Sequence, residues 1–145
     1  MDFLKYLIFG LFLVFSNSSV LAISAVERGC SDMVQDPQFA ITMNLEELFS
    51  RYPRLIDLVD VPLDQDISKE VQGVEGVQAG STYCQVIRFL YNRLDKQYSI
   101  ENEHQKKGAI KACALSHNEV TINIERDKNS TLKKIANKCN LNLIN

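Results

Sequence analysis

Four cysteines set the tightest limit on what this chain can fold into. Cys30, Cys84, Cys113 and Cys139 are even in number and all follow a segment laid out like a secretory signal. In that segment Lys5 precedes an apolar run from Tyr6 to Phe15, broken only by Gly10. Polar Ser16 to Ser19 then leads to Val20-Leu21-Ala22 and a cut after Ala22. The run is about half the length a bilayer-spanning helix needs, so it reads as a cleaved signal and not as an anchor. The chain is therefore expected to be secreted or periplasmic, and two disulfides follow from an oxidising destination.

The mature chain from Ile23, about 123 residues, suits one domain with a single core. Four cysteines allow three connectivities. Sequence proximity favours Cys84–Cys113, across a helical hairpin over 81–117, and Cys30–Cys139, tying the domain ends. Loop-closure entropy assigns those bridges about 3.5 and about 4.7 kcal/mol. A zinc site is disfavoured because the cysteines form no C-x-x-C cluster.

Hydrophobic spacing gives the fold class as mainly α. Val26, Cys30 and Val34 recur every four residues, predicting a short helix over 23–36 that stops before Pro37. Leu45 to Tyr52 reads as a helix capped by Asn44, and Pro53 opens a second short one ended by Pro62. Ser81 or Thr82 caps the hairpin's first helix, with Tyr83, Ile87, Leu90, Tyr91, Leu94 and Tyr98 on one stripe. Its second helix runs from about Asn102 to His117, with Gly108, Ala109 and Ala112 as a small-residue face for close helix approach. A final helix bears Leu132, Ile135, Ala136 and Cys139, starting at Ser130 or Thr131 after a turn at Asp127-Lys128-Asn129. The tail from Asn140 is expected to fray, unless Leu141, Leu143 and Ile144 dock.

Two segments alternate like strands: 38–43, with Phe39, Ile41 and Met43, and 119–125, with Val120, Ile122 and Ile124. A lone strand leaves its backbone groups unpaired, so these two are expected to pair, making the fold α+β, or else to be absorbed into helices. Residues 63–80 form a long acidic loop holding Gly73, Gly76 and Gly80.

Charge is unevenly spread. Residues 23–76 carry four basic and eleven acidic side chains, net −7, and residues 77–145 carry eleven basic and six acidic, net +5. The halves could neutralise each other, but the acidic cluster Asp57, Asp60, Asp64, Asp66, Glu70 and Glu75 also fits a surface for a basic protein partner. A calcium loop starting at Asp64 fails because Lys69 stands where the central Gly belongs. Cys113 and His117 share a helix face, yet a bridge claims the cysteine. Lys106, Lys107, Lys111, Lys133, Lys134 and Lys138 read as ordinary outer helix faces and not as a nucleic-acid site.

No catalytic set, metal site or cofactor motif is present in the sequence. The favoured function is a small exported, non-enzymatic binding protein of inhibitor or immunity type, using its acidic loop. The alternative is a carrier holding an apolar ligand among Tyr83, Ile87, Phe89, Leu90 and Tyr91. Asn129-Ser130-Thr131 is a glycosylation acceptor placed at a turn.

Overall fold

The structure, a computed structural model, describes residues 25–141. The expected signal segment 1–22 and the apolar tail residues Leu143 and Ile144 lie outside that range. The fold is mainly helical: α1 (residues 25–34), α2 (Phe39–Arg51), α3 (Arg54–Asp57), a 3-10 turn (Ser68–Val71), α4 (Tyr83–Asn92), α5 (Glu103–Ser116) and α6 (Glu119–Lys138). No strand occurs among the described residues. An isolated antiparallel bridge joins Asp66 to Thr82.

Both alternating segments are helical, and the expected strand pairing is corrected. In α2 the buried apolar positions are Leu45, Leu48 and Phe49, with Ile41 and Tyr52 packed beside them. That set follows a helical period and not the alternation of residues 39–45. Asn44 does not cap α2 but lies buried inside it. In α6 only Ile122 of the three alternating aliphatics is buried, at 4 % exposure, while Val120 and Ile124 face outward at 68 % and 59 %. Asn118 and Thr121 cap the helix reciprocally: the Asn118 side chain accepts from the Thr121 backbone at 2.9 Å, and the Thr121 hydroxyl from the Asn118 backbone at 2.7 Å. The turn expected at 127–129 is absent because α6 continues through it. Thr131 therefore does not cap; its hydroxyl donates back to the Asp127 carbonyl at 3.3 Å. Asn129 sits inside a helix and not at a turn.

The disulfides also differ from the expected pairing. Cys30 joins Cys113, with Cα atoms 5.9 Å apart, and Cys84 joins Cys139, at 5.0 Å. No described cysteine is free. Both separations are ordinary for bridged residues. Neither bridge closes the 81–117 segment on itself.

The chain divides into two compact units. The first comprises residues 25–36 and Asn102–Arg126. Here α1 meets the start of α6 at Gly29, where an added Cβ would lie 2.9 Å from Ile122 Cγ1. This is the small-residue contact that the sequence suggested for Gly108; around Gly108 a Cβ would meet nothing within 4 Å. An Arg126–Asp32 ion pair at 3.4 Å and the Cys30–Cys113 bridge complete the unit. None of the side chains of α5 is buried.

The second unit comprises residues 37–101 and 127–141 and holds the larger core. Tyr83, Ile87, Leu90 and Tyr91 of α4 pack with Leu45, Leu48 and Phe49 of α2, Leu55 of α3, and Leu132, Ile135 and Ala136 of α6. Cys84 and Cys139 belong to the same cluster, so their bridge crosses the apolar interior. Leu141 docks in it as well. Thr82 opens α4 with a full capping box, its backbone N–H donating to the Gln85 side chain at 2.9 Å.

Candidate functional site

The acidic segment runs from the end of α3 through the 3-10 turn, and its ordering begins with apolar anchors. Ile67 and Val71 are buried in the core, and Val74 and Val77 pack against it. These four residues recur every three or four positions among polar neighbours, so burying them leaves the carboxylates facing out. Asp57, Asp60, Asp64, Asp66, Glu70 and Glu75 are all exposed. Glycine supplies the turns that the segment needs, with Gly76 at φ +91° and Gly80 at φ +86°.

Hydrogen bonds then fix the backbone. The Asp66 carboxylate accepts from the Ser68 backbone at 2.8 Å and from its hydroxyl at 2.6 Å. The Ser68 oxygen in turn accepts from Gly80 N–H at 3.3 Å, and Ile67 N–H donates to the Ser81 carbonyl at 2.9 Å. The Ser68 hydroxyl first, and its backbone N–H second, hold Asp66 below the usual carboxylate value. At the other end, Arg93 donates to the Glu75 carbonyl, and to the Tyr52 hydroxyl at 3.0 Å. Its guanidinium lies 5.0 Å above the Phe89 ring, and that ring fills the space where a Gly76 side chain would stand.

Lys138 secures the stretch around Asp60. Its ammonium donates to the Val59 carbonyl at 2.6 Å and to the Val61 carbonyl at 3.2 Å, and lies 5.5 Å from the Tyr83 ring centre. Lys138 is thus half-buried and engaged, in contrast to the outer-face role expected for it. Beneath it the Tyr83 hydroxyl is buried and has no hydrogen-bond partner among the described residues. Burial first, and the nearby Asp60 charge second, push its ionisation well above the ordinary tyrosine range.

Among the described residues, none of the six carboxylates lies within 4.0 Å of a cationic side chain. Residues 57–75 contain six acids and one base, Lys69, so the surface carries a net charge of −5. Beside it opens a groove of about 490 Å³, walled by Gly76 to Ser81 and floored by Val86 and Phe89. The sequence reading locates the acids but not this groove. Its one available signal was the glycine spacing at 76 and 80.

The remaining expected sites are placed as follows. Cys113 has no thiol to offer His117, being bridged to Cys30; His117 Nδ1 lies 2.8 Å from the Cys113 carbonyl. Of the residues suggested as a ligand lining, Tyr83, Ile87, Leu90 and Tyr91 are core members, while Phe89 is exposed. Among the described residues, no group of three or more His, Cys, Asp or Glu side chains is arranged to hold a metal ion. Compared with family models, with curated proteins and with solved structures, the chain matches none.

Proposed function

We propose that this chain is a small exported, non-enzymatic protein that binds another protein of basic surface, in the manner of an inhibitor or immunity protein. One observation carries the reading: six exposed carboxylates, unpaired with any cation among the described residues, on a backbone held by hydrogen bonds within the segment and from Lys138 and Arg93. Elsewhere in the second unit, acids do find cations, as Glu46 does with Lys128 at 2.8 Å and Glu47 with Arg51 at 3.1 Å. A fixed acidic surface loses little conformational freedom on binding and steers a basic partner by long-range attraction. Two disulfides, with no described cysteine left free, suit an oxidising compartment. No helix among the described residues is long and apolar enough to cross a membrane.

The test is capture of partners from the native surroundings by the wild type and by a neutralised variant. That variant carries Asp57→Asn, Asp60→Asn, Asp64→Asn, Glu70→Gln and Glu75→Gln, and keeps Asp66 because it holds the loop. The wild type should retain a basic protein, with an association rate that falls as salt rises. The variant should associate at least about tenfold more slowly. Equal capture by both proteins would remove the acidic surface from the reading.

A further inference from the structure

The described part of the first unit has a small core and leaves three large aliphatic side chains exposed. Among its described residues, Cys30, Val34 and Ile122 are the buried apolar side chains, whereas Leu115, Val120 and Ile124 stand 81 %, 68 % and 59 % exposed. So small a core rarely sustains a unit, and association is a standard remedy alongside disulfides. Leu115, the most exposed of the three, opens onto a groove of about 500 Å³ between α1 and α5. The groove is lined by Glu27, Lys107, Ile110, Lys111, Ala114 and Leu115. On α5 these positions fall three and four residues apart, so one helix face presents two lysines and three apolar side chains.

We propose that this groove is the contact between two copies of the chain, related by a two-fold axis. The patch is complementary to itself. It contains both signs of charge, and among the described residues Glu27, Lys107 and Lys111 form no ion pair within 4.0 Å. A two-fold operator sets Glu27 of each copy against the lysines of the other, and Leu115 of each onto the other's Ile110 and Ala114. An anionic lipid surface fits less well. Glu27 stands inside the groove, and the described part of the unit carries five basic and six acidic side chains, so it has no net attraction for such a surface. The inference does not rest on the acidic surface, since none of its six carboxylates lines this groove.

Sedimentation equilibrium of the purified protein with both disulfides intact should give twice the chain mass, with dissociation on dilution. Leu115→Glu should weaken the dimer at least about tenfold. Glu27→Lys and the pair Lys107→Glu, Lys111→Glu should each be monomeric alone, and their mixture should restore a dimer of one copy of each. Circular dichroism and the absence of free thiols establish that each variant is folded. The inference is overturned by a wild type that stays monomeric to about 1 mM. It is equally overturned by a dimer indifferent to all three changes, or by open-ended assembly, which requires two different patches. A wild-type monomer that floats with phosphatidylglycerol vesicles, and loses that on Leu115→Glu, would assign the groove to a membrane instead.

Discussion

Asn44, in the middle of α2, donates its side-chain amide to the Tyr91 hydroxyl of α4 at 3.1 Å. The same side chain accepts from the Tyr98 N–H at 2.5 Å and donates to the Tyr98 carbonyl at 3.2 Å. One buried amide thereby satisfies a core hydroxyl and both backbone groups of a residue 54 positions away. Tyr98 is held further by Phe39, whose ring meets it edge-on at 5.9 Å. Asn44→Ala strips partners from three groups at once. It should cost about 2–3 kcal/mol in denaturant unfolding and weaken the near-ultraviolet signal of the tyrosines. A cost below about 0.5 kcal/mol would mean that water replaces the amide without loss.

The Cys30–Cys113 bridge fastens a helix that buries none of its side chains. Replacing both cysteines by serine should speed amide exchange in 103–116 at least about tenfold while leaving α4 protected. Replacing Cys84 and Cys139 instead removes a bridge from the larger core, and should lower global stability by about 2–5 kcal/mol. If α5 keeps its protection in the first variant, packing and not the bridge holds it.

Tyr83→Phe should stabilise the protein, by about 1 kcal/mol, since it deletes a buried hydroxyl that lacks a partner while keeping the ring beneath Lys138. The alkaline limb should change too. With its folded pKa raised above the ordinary value of about 10, Tyr83 contributes stability that is fully present below that pH and lost as pH rises beyond it. The phenylalanine variant lacks this proton, so its stability should decline less steeply above about pH 10. A destabilised variant would reveal a partner for the hydroxyl.

Two glycines should respond oppositely to alanine. Gly76→Ala imposes a side chain at φ +91°, 2.7 Å from the Phe89 ring, and should cost about 1–3 kcal/mol. Gly108→Ala meets nothing within 4 Å and adds helix propensity to α5, a gain of about 0.5–1 kcal/mol. Thermal unfolding of the two variants decides both signs, and a loss at Gly108 would mean that something does approach it.

Much of this was readable from residue spacing. The stripe of α4 from Tyr83 to Tyr91, its Thr82 cap, the start of α5 near Asn102 and the exposed acids stand where the sequence put them. Leu94 and Tyr98 instead lie beyond the helix end at Asn92, and Tyr98 is exposed. The bridges depart from the pairing that proximity along the chain favours because burial outweighs proximity. Cys84 and Cys139 each prolong the apolar stripe of a core helix, and such stripes face one another; Cys113 lies on a helix with no buried stripe. The alternation at 119–125 misled for a related reason. In a helix, Val120 and Ile124 share a face while Ile122 points the other way, and only the cap from Asn118 to Thr121 distinguishes that from a strand. The two-sided groove on α5 was illegible because Glu27 reaches it from a helix some eighty positions away.

The interlaced bridges carry a consequence for how the chain matures. Emerging from its N-terminus, the polypeptide presents Cys30 and then Cys84 before the native partner of either exists. On the proposed export into an oxidising compartment, a crosslink between those first two thiols would be non-native and would have to be exchanged. The native pairs would then form by thiol–disulfide exchange once Cys113 and Cys139 arrive. Production of this protein should accordingly depend on a disulfide isomerase, and not merely on an oxidant.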